Sequence, residues 1–440
     1  MLKGVFFVPF YGKKLYHKLV AFQYLSVKIK GNCYIEGSDP MSIERKPSTL
    51  EQKLILSPLR IYIQNKYNVK VEQNDTIGLK PPYLVLANHV NNWDPFFINC
   101  YVDEPLCFVA AAPLFRNQQL KKVLDYAGTI SKTKGRPDRS TIRNILKAKK
   151  NNRAIALFPE GNRTWNGETD KIVYSTAKLV KLLGIPVIIG NIKGGYLSQP
   201  RWSNNYRKGQ ISVSLTKLWN GDDLKELSIK EIDKVLNQVL YVDDIAWQQQ
   251  TGIHFKGKQL AEYLERYLYT CPQCAKIDQM YSVDNKFRCQ QCGYSVLYNE
   301  AGTFDQYHEK FFFKTIKSWS DWQNSFISEH IQEEPFLKAL EETFKNEVKV
   351  LVSKNEQPFE SQGEYTLSWR KDGIYFEHLF DKKSPIAIPF EQLSGLNVHL
   401  SSRLYFFYED HLYRVDFTDP RTSAYKWFHL ISQFKSFDEE

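Results

Sequence analysis

Short apolar runs alternate with amphipathic stretches along the chain between about residue 81 and residue 217. The runs have the length of buried strands, whereas most of the stretches between them repeat apolar residues at helical spacing. This alternation predicts an α/β domain in which helices are layered on a largely buried sheet. The predicted strands are Tyr83–Ala87, Leu106–Ala111, Ala154–Phe158, Pro186–Ile192 and Gln210–Lys217.

The pattern changes after residue 220. Helical spacing predicts helices over Ile229–Leu240 and Lys258–Tyr269, and an aromatic stretch at 301–345 is interpreted as a helical linker. From Val348 onward, apolar and polar residues alternate with period two, which is typical of strands joined by turns. The predicted strands are Val348–Val352, Tyr365–Trp369, Ile374–His378, Ile386–Pro389, Leu404–Tyr408 and Leu412–Asp416.

The chain ends in a predicted amphipathic helix. Its apolar side consists of Ala424, Trp427, Phe428, Ile431 and Phe434. Several antiparallel strands followed by one helix predict an all-β, barrel-like domain that the C-terminal helix closes. This arrangement resembles a pleckstrin-homology domain. No basic cluster of the kind that binds phosphoinositides is evident, so lipid contact and protein contact both stay open as its role.

The first seventy residues carry two candidate helices. In the first, around Tyr11–Leu25, apolar residues recur at helical spacing and Lys13, Lys14 and Lys18 interleave them, as in helices that lie in a membrane surface. The second is predicted to begin at Ser57, with a proline in its first turn. Either helix could instead pack on its own domain, and for the second we favour that interpretation.

Two of the apolar strands run into polar turns that indicate chemistry. The strand ending at Ala87 is followed by Asn88 and His89, and Asp94 comes five residues after the histidine. A neutral imidazole can take a proton from a hydroxyl when its second nitrogen donates to a carboxylate. His89 is therefore the predicted catalytic base, and Asp94 is the predicted carboxylate that orients it.

The strand ending at Phe158 leads into Pro159, Glu160, Gly161 and, after one residue, Arg163. Asn-His-x-x-x-x-Asp, followed about seventy residues later by Phe-Pro-Glu-Gly-x-Arg, resembles the signature of the glycerolipid acyltransferase family, typified by 1-acylglycerol-3-phosphate acyltransferases. The resemblance implies an enzyme of phospholipid biosynthesis. It would move a fatty acyl group from acyl-CoA or acyl-carrier protein to the hydroxyl of a lysophospholipid, with 1-acylglycerol-3-phosphate as the expected acceptor.

The resemblance also implies which residues bind the acceptor. Arg163 is expected to anchor the phosphate, while Glu160 and Gly161 shape the glycerol pocket. The family has a further block that ends in a phosphate-binding arginine; in strict register Lys134 occupies that position, and Arg136 comes two residues late. A lysine neutralises a phosphate but cannot hold it through two parallel hydrogen bonds. Whether Lys134 or Arg136 takes the role stays open.

Four of the seven cysteines form two Cys-x-x-Cys pairs with fourteen residues between them. Two such pairs at this separation resemble a zinc ribbon, in which four thiolates close a tetrahedral Zn²⁺ shell. A closed shell leaves no position for catalysis, so the expected role of the zinc is structural. The predicted ligands are Cys271, Cys274, Cys289 and Cys292. Nothing indicates a secreted disulfide scaffold, which favours a reducing cytoplasm.

The net charge of +10 is divided unequally along the chain. Residues 1–220 hold 34 Lys and Arg against 14 Asp and Glu, which leaves 25 against 35 for residues 221–440. A positive first half would attract an anionic membrane surface, a phosphate-bearing lysophospholipid and an acidic donor such as acyl-carrier protein. The cysteine region has ordinary basic density, so nucleic acid is not an expected partner.

The predicted division of the chain has five parts. They are a membrane-docking region at 1–70, an acyltransferase domain at 71–255, a helix and zinc ribbon at 256–300, a helical linker at 301–345 and a β-rich domain at 346–440. No stretch is long and apolar enough to span a bilayer, and no signal peptide is evident. We therefore expect a cytoplasmic protein that binds peripherally to the inner face of the membrane.

Two functions of other classes were weighed against the enzyme. The first is a non-catalytic membrane adaptor on an acyltransferase-like fold, and the intact His89/Asp94 pair argues against it. The second is a zinc-ribbon nucleic-acid binder, which would require the basic charge to lie near residues 271–292. That charge lies elsewhere in the sequence.

Overall fold

The computed structural model describes residues 43–44, 46–133, 138–354, 357–380 and 384–437. The predicted helix around Tyr11–Leu25 lies outside these ranges, as do Lys134 and Arg136. Across the described residues, no helix combines the length and apolar character needed to cross a bilayer.

A seven-stranded sheet organises the first half of the chain. Its strands are β1 (Val69–Asn74), β2 (Leu84–Ala87), β3 (Leu106–Ala111), β4 (Ile130–Lys132), β5 (Ala154–Leu157), β6 (Val187–Lys193) and β7 (Ile211–Trp219). They lie in the order β1-β7-β6-β2-β5-β3-β4. The five strands from β6 to β4 are parallel, while β7 pairs antiparallel with β6 and parallel with β1.

Helices cover both faces of this sheet. They are α1 (Thr49–Tyr67), α2 (Asp94–Asn99), α3 (Gln118–Ala127), α4 (Arg139–Lys150), α5 (Ser175–Leu183), α6 (Gly195–Ser198), α7 (Asp223–Glu226), α8 (Ile229–Val239) and α9 (Asp244–Thr251), with a 3-10 helix at Ala112–Arg116. Successive residues of β2 alternate between two hydrophobic cores, because side chains point to opposite faces of a strand. Val85 and Ala87 join one core, and Leu84 and Leu86 join the other. The predicted layered α/β domain is confirmed.

Two helix predictions are wrong. The helix expected to begin at Ser57 begins eight residues earlier, at Thr49, because Ser48 and Glu51 form a capping box that satisfies the first backbone N–H groups. Pro58 lies inside α1 rather than in its first turn. No continuous helix forms over Lys258–Tyr269, where the structure has only turns and a 3-10 helix at Leu264–Arg266.

No helix forms over Lys258–Tyr269 because backbone N–H groups in this stretch donate to side chains elsewhere in the chain. The N–H of Leu260 donates to the Asn285 side chain, and the N–H of Tyr263 donates to Ser282 Oγ. Tyr263 also has a left-handed backbone, with φ of 73°. These donors are therefore bonded to distant polar groups instead of a helix.

A small antiparallel sheet follows, in the order β11-β10-β9-β8. Its strands are β8 (Met280–Val283), β9 (Lys286–Cys289), β10 (Ser295–Tyr298) and β11 (Phe304–Gln306). Two helices then occupy much of the stretch predicted as a helical linker: α10 (Ile316–His330) and α11 (Glu334–Thr343).

The C-terminal part is a seven-stranded antiparallel sheet in the order β15-β14-β13-β12-β18-β17-β16. Its strands are β12 (Lys345–Ser353), β13 (Glu360–Arg370), β14 (Gly373–His378), β15 (Ile386–Pro389), β16 (Ser394–His399), β17 (Arg403–Tyr408) and β18 (His411–Phe417), and α12 (Ala424–Phe437) follows them. This confirms the predicted all-β, barrel-like domain with its closing helix. The resemblance to pleckstrin-homology domains stays a prediction.

The barrel and the small sheet share one hydrophobic core, and two tryptophans of the first domain belong to it. Trp165 and Trp202 pack in the same cluster as Phe287 of the small sheet and Trp427 of α12. The first domain therefore packs against the C-terminal half of the chain through a continuous apolar contact.

Candidate active site

The two sequence motifs meet at one edge of the large sheet. Strands β2 and β5 are parallel neighbours, with Leu84 opposite Ile155 and Leu86 opposite Leu157. Because the carboxyl ends of parallel strands lie at the same edge, the turns that follow them are adjacent. The turn after β2 carries His89 and Asp94, and the turn after β5 carries Glu160 and Arg163.

His89 and Asp94 form the predicted pair. The Nδ1 atom of His89 lies 2.7 Å from Oδ2 of Asp94, which fixes the ring orientation. The histidine side chain keeps 22% of its surface exposed, whereas the aspartate side chain is fully buried. With Nδ1 directed at the carboxylate, Nε2 is the nitrogen that can accept a proton from a substrate.

Asp94 Oδ2 accepts three hydrogen bonds at once. Besides His89, the backbone N–H groups of Val90 and Asn91 donate to it at 2.7 and 2.8 Å. Burial raises the pKa of Asp94 to about 8, although these two N–H groups and the nearby charge of Arg163 favour the ionised form. The donors at Oδ2 thus act against the effect of burial and stabilise the ionised carboxylate, which is the form that pairs with an imidazolium.

The turn that carries this pair is anchored to β6 and α6. The side chain of Asn88 both accepts from the N–H of Ile192 and donates to its carbonyl, at 2.8 and 2.9 Å. Asn91 Nδ2 donates to the carbonyl of Gly195 at 3.2 Å. The sequence alone assigns no role to either asparagine, although both stand inside the first motif.

Glu160 ties the two motif turns together. Its Oε1 accepts from the backbone N–H of His89 at 2.6 Å, and its Oε2 accepts from the N–H of Asp170 at 2.9 Å. Burial raises the pKa of Glu160 well above its ordinary value, and the two N–H groups oppose this shift. Both oxygens are thus engaged by the protein backbone, which makes this side chain a connection between turns. The predicted contribution of Glu160 to a glycerol pocket stays a prediction.

The rest of the second motif surrounds the histidine. Phe158 stacks on the His89 ring with centroids 4.3 Å apart, and the N–H of Thr164 donates to the His89 carbonyl at 3.0 Å. Gly161 has a φ of 74°, a conformation that favours glycine, and a side chain there would meet open space. Burial lowers the pKa of Arg163 to about 10, while the charge of Asp94 opposes this shift.

Lys134 and Arg136 cannot be located relative to these residues, since they lie outside the described ranges. The residues on either side can be. Strand β4 ends at Lys132 and is parallel to β3, so the chain leaves the sheet at the same edge as the two motif turns. The next described residue is Asp138. Its carboxylate caps α4 by accepting from the N–H of Thr141 at 3.0 Å.

The structure brings the four predicted metal ligands together. The Sγ atoms of Cys271, Cys274, Cys289 and Cys292 all lie within 4.8 Å of one another. The distance from Cys271 Sγ to Cys292 Sγ is 3.6 Å, and that from Cys274 Sγ to Cys289 Sγ is 3.8 Å. Zinc–thiolate bonds of about 2.3 Å in a tetrahedron separate sulfurs by about 3.8 Å. Four thiols at these distances fit a zinc shell.

Part of the first domain matches a known protein family. Residues 68–190 match the family model described as Acyltransferase. This region is therefore a domain of the acyltransferase family, and the predicted family is confirmed.

The known proteins to which this chain is similar include two acyltransferases. The 1-acyl-sn-glycerol-3-phosphate acyltransferase of Saccharomyces cerevisiae (strain ATCC 204508 / S288c) is 27% identical over 188 residues, which cover 39% of this chain and 59% of the yeast protein. The crystal structure of the 1-acyl-sn-glycerophosphate (LPA) acyltransferase PlsC from Thermotoga maritima aligns with a TM-score of 0.39 and 17% identity, over 54% of this chain and 97% of that one.

Proposed function

We propose that this protein is an acyltransferase that moves a fatty acyl group from a thioester donor to the hydroxyl of a lysophospholipid, with 1-acylglycerol-3-phosphate as the acceptor. The observation that carries the proposal is the His89–Asp94 contact of 2.7 Å inside a domain of the acyltransferase family. The yeast relative, named for acyl transfer to that acceptor, supports the choice of substrate.

The reaction we propose is direct transfer without an acyl-enzyme. His89 Nε2 removes the proton of the acceptor hydroxyl as its oxygen attacks the thioester carbonyl, and Asp94 stabilises the imidazolium. The tetrahedral intermediate then expels the donor thiolate, which takes the proton back from the imidazolium. Burial raises the thiol pKa of Cys100 to about 12 and that of Cys107 to about 11, so neither favours the thiolate that a covalent route needs.

We assign the acceptor phosphate to Arg163, assisted by Lys134 or Arg136. Arg163 follows the turn that contacts His89, and its charge acts on Asp94 in the same site. A guanidinium close to the base would hold a phosphate at a fixed distance from the hydroxyl to be acylated. Gly161, with open space around its α-carbon, leaves room for the glycerol part.

An acidic donor, acyl-CoA or acyl-carrier protein, fits the outer face of α4. This helix contains no acidic residue, and Arg139, Arg143, Lys147 and Lys150 are all exposed on it. Lys147 is paired with Glu44 at 2.7 Å, which leaves three cations without a described ion pair on that face. The helix begins near the sheet edge that carries the two motif turns, so a donor attracted there would arrive close to the site.

We propose that the protein works at the inner face of the cytoplasmic membrane, where a lysolipid acceptor resides. Helix α1 supports this, since Leu50, Leu54 and Ile61 recur at helical spacing and are 64%, 60% and 63% exposed. The opposite face of α1 packs on its own domain, which is the interpretation that the sequence favours, because Leu59, Ile63 and Tyr67 are buried in the core. The exposed stripe leaves a second face of the helix for membrane contact. The basic helix predicted around Tyr11–Leu25 would add electrostatic attraction.

We propose a structural zinc ion in the cysteine cluster. Zinc held there would tie Cys271 and Cys274, before β8, to Cys289 and Cys292 at the end of β9. Such a small sheet would gain stability from a metal of this kind, because its apolar residues pack in the core that it shares with the barrel and form no separate core of their own.

The experiment that tests the proposed function is lipid-product analysis. Purified full-length protein is incubated with labelled acyl-CoA or acyl-carrier protein and a panel of lysophospholipids. We expect a diacyl product from 1-acylglycerol-3-phosphate. Absence of any acylated product across the panel would contradict the proposal.

A further inference from the structure

Arg201 connects the second motif to the C-terminal barrel. It stands just after α6, and its side chain is 7% exposed. One end of the guanidinium, Nη1, donates to the backbone carbonyl of Arg163 at 2.8 Å, and the other, Nη2, donates to the carbonyl of Val398 at 2.7 Å. Val398 belongs to β16. A single planar group therefore bridges the turn after β5 and a strand of the barrel.

An aromatic stack supports the same bridge. The Arg201 guanidinium lies over the ring of Trp165, 4.2 Å from its centroid, two residues beyond Arg163 in the same turn. Trp165 in turn stacks on Tyr267, with ring planes 8° apart, and contacts Tyr425 of α12 at 4.7 Å. A buried cation on an aromatic face gains more than an exposed one, because water does not screen the interaction.

The bridge holds two arginines near each other. Burial lowers the pKa of Arg201 well below its ordinary value, and the charge of Arg163 lowers it further, while Asp170 opposes both effects. Asp170 is also the residue whose N–H is bound by Glu160. The arrangement thus keeps a costly buried cation, which is compensated by two carbonyls, an aromatic ring and a nearby carboxylate.

We propose that Arg201 is a positioning residue through which the C-terminal barrel holds Arg163 in place for the acceptor phosphate; this inference rests on the proposed function. The His89–Asp94 pair has its own anchors in Asn88 and Asn91, which do not involve the barrel. Loss of the bridge should therefore affect acceptor binding rather than the base. The barrel would then support the active site of its own chain through Arg201.

The planar fork of arginine suits this task and lysine does not. Two carbonyls on separate elements are reached by two N–H groups in a fixed plane, and the flat face of that plane stacks on the indole. A lysine ammonium is a point donor on a flexible stem, so it can bind either carbonyl but not span both in this geometry. Arg201→Lys keeps the charge and removes the bridge.

Steady-state kinetics of full-length Arg201→Lys test the proposal. We expect the KM for 1-acylglycerol-3-phosphate to rise about tenfold, with kcat and the KM for acyl-CoA both within about threefold of wild type. The matched control is Arg116→Lys. Arg116 also bridges to the barrel, donating to Ser353 Oγ at 2.7 Å, but it does so from the 3-10 helix after β3 and not from a motif turn. This control should leave all three constants unchanged.

Four kinetic outcomes would count against the proposed role of Arg201 or of Arg163. The proposed role of Arg201 is wrong if Arg201→Lys leaves the acceptor KM unchanged. It is also wrong if the KM values for acceptor and donor rise equally. If this variant fails to fold, Trp165→Phe, which reduces the stacking surface, should raise the acceptor KM to a smaller extent, and wild-type constants in it count against the proposal. Arg163→Lys distinguishes the phosphate role of Arg163 from the positioning role of Arg201. If this variant leaves the acceptor KM unchanged, the proposed phosphate role of Arg163 itself is wrong.

Discussion

The backbone N–H of His89 donates to Oε1 of Glu160 at 2.6 Å, so the first motif is bound directly to the second. Because the other oxygen of Glu160 binds the N–H of Asp170, replacing the carboxylate with an amide must lose an acceptor for one of these two donors. We expect Glu160→Gln to lower kcat about tenfold and to change the acceptor KM by less than about threefold. Steady-state kinetics check this; a raised KM with normal kcat would mean that Glu160 binds substrate instead.

The cysteine cluster predicts a stoichiometric metal. Purified protein kept reduced throughout should hold about one zinc per chain, because four thiolates form a closed shell. Cys271→Ser should release the zinc and destabilise the small sheet. Cys107→Ala, which changes a buried thiol in the large sheet, is the control and should retain the metal. Metal analysis that finds no zinc in the wild-type protein would refute this prediction.

Acid should weaken the contact between α12 and the region before the small sheet. His429 of α12 is 6% exposed, and its Nδ1 lies 2.7 Å from the hydroxyl of Tyr269. Burial lowers the pKa of His429 to about 4, from an ordinary value of 6.5. Between these values the unfolded chain binds more protons than the native one, so the stabilising effect of the neutral ring is present above pH 6.5 and is lost as the pH falls to 4.

The measurement is thermal unfolding of wild type and His429→Gln between pH 4 and pH 7. Each pH unit in this window costs at most about 1.4 kcal/mol from this group, or about 3 kcal/mol in total. Wild type should therefore lose more thermal stability than the variant on acidification. Parallel pH profiles would show that His429 is not responsible.

The exposed stripe of α1 predicts membrane binding. Replacing Leu50, Leu54 and Ile61 together with serine should reduce sedimentation with anionic vesicles about tenfold or more, because apolar side chains contribute roughly 1 to 3 kcal/mol each when they leave water. Activity on a short-chain, soluble acceptor should persist. Leu182→Ser, at a 55% exposed position on α5, is the matched control. If the triple variant binds vesicles as well as wild type, α1 does not contact the membrane.

Five of the seven strands of the first domain could be predicted because each of the five is a short apolar run between polar turns, whereas β1 and β4 contain too many polar residues to show such a run. The strand at Leu106–Ala111 has the predicted bounds, and neither end of the other four differs from the prediction by more than two residues. β16 was missed, since Gly395 and Asn397 interrupt its alternation and the pairing with β17 shifts register there. Ser48 and Glu51, which form the capping box of α1, are also a local signal in the sequence, whereas Pro58 by itself places the start of this helix too late.

Only the site residues that belong to short sequence motifs could be predicted. His89, Asp94, Glu160 and Arg163 stand in two short segments whose spacing indicates chemistry. Arg201 has no such signal: it binds carbonyl groups, and every residue has a carbonyl whatever its side chain. Its partners Arg163 and Val398 lie 38 and 197 residues away, so only the folded chain brings them together.

The central claim is that His89 is the base in acyl transfer. Full-length His89→Ala, assayed with labelled acyl-CoA and 1-acylglycerol-3-phosphate, tests it most directly, with His254→Ala as a control at an exposed histidine outside the motifs. We predict that His89→Ala lowers kcat by a factor on the order of a hundred or more with an unchanged melting transition, while His254→Ala matches wild type. Acyl transfer at the wild-type rate by His89→Ala would contradict the mechanism.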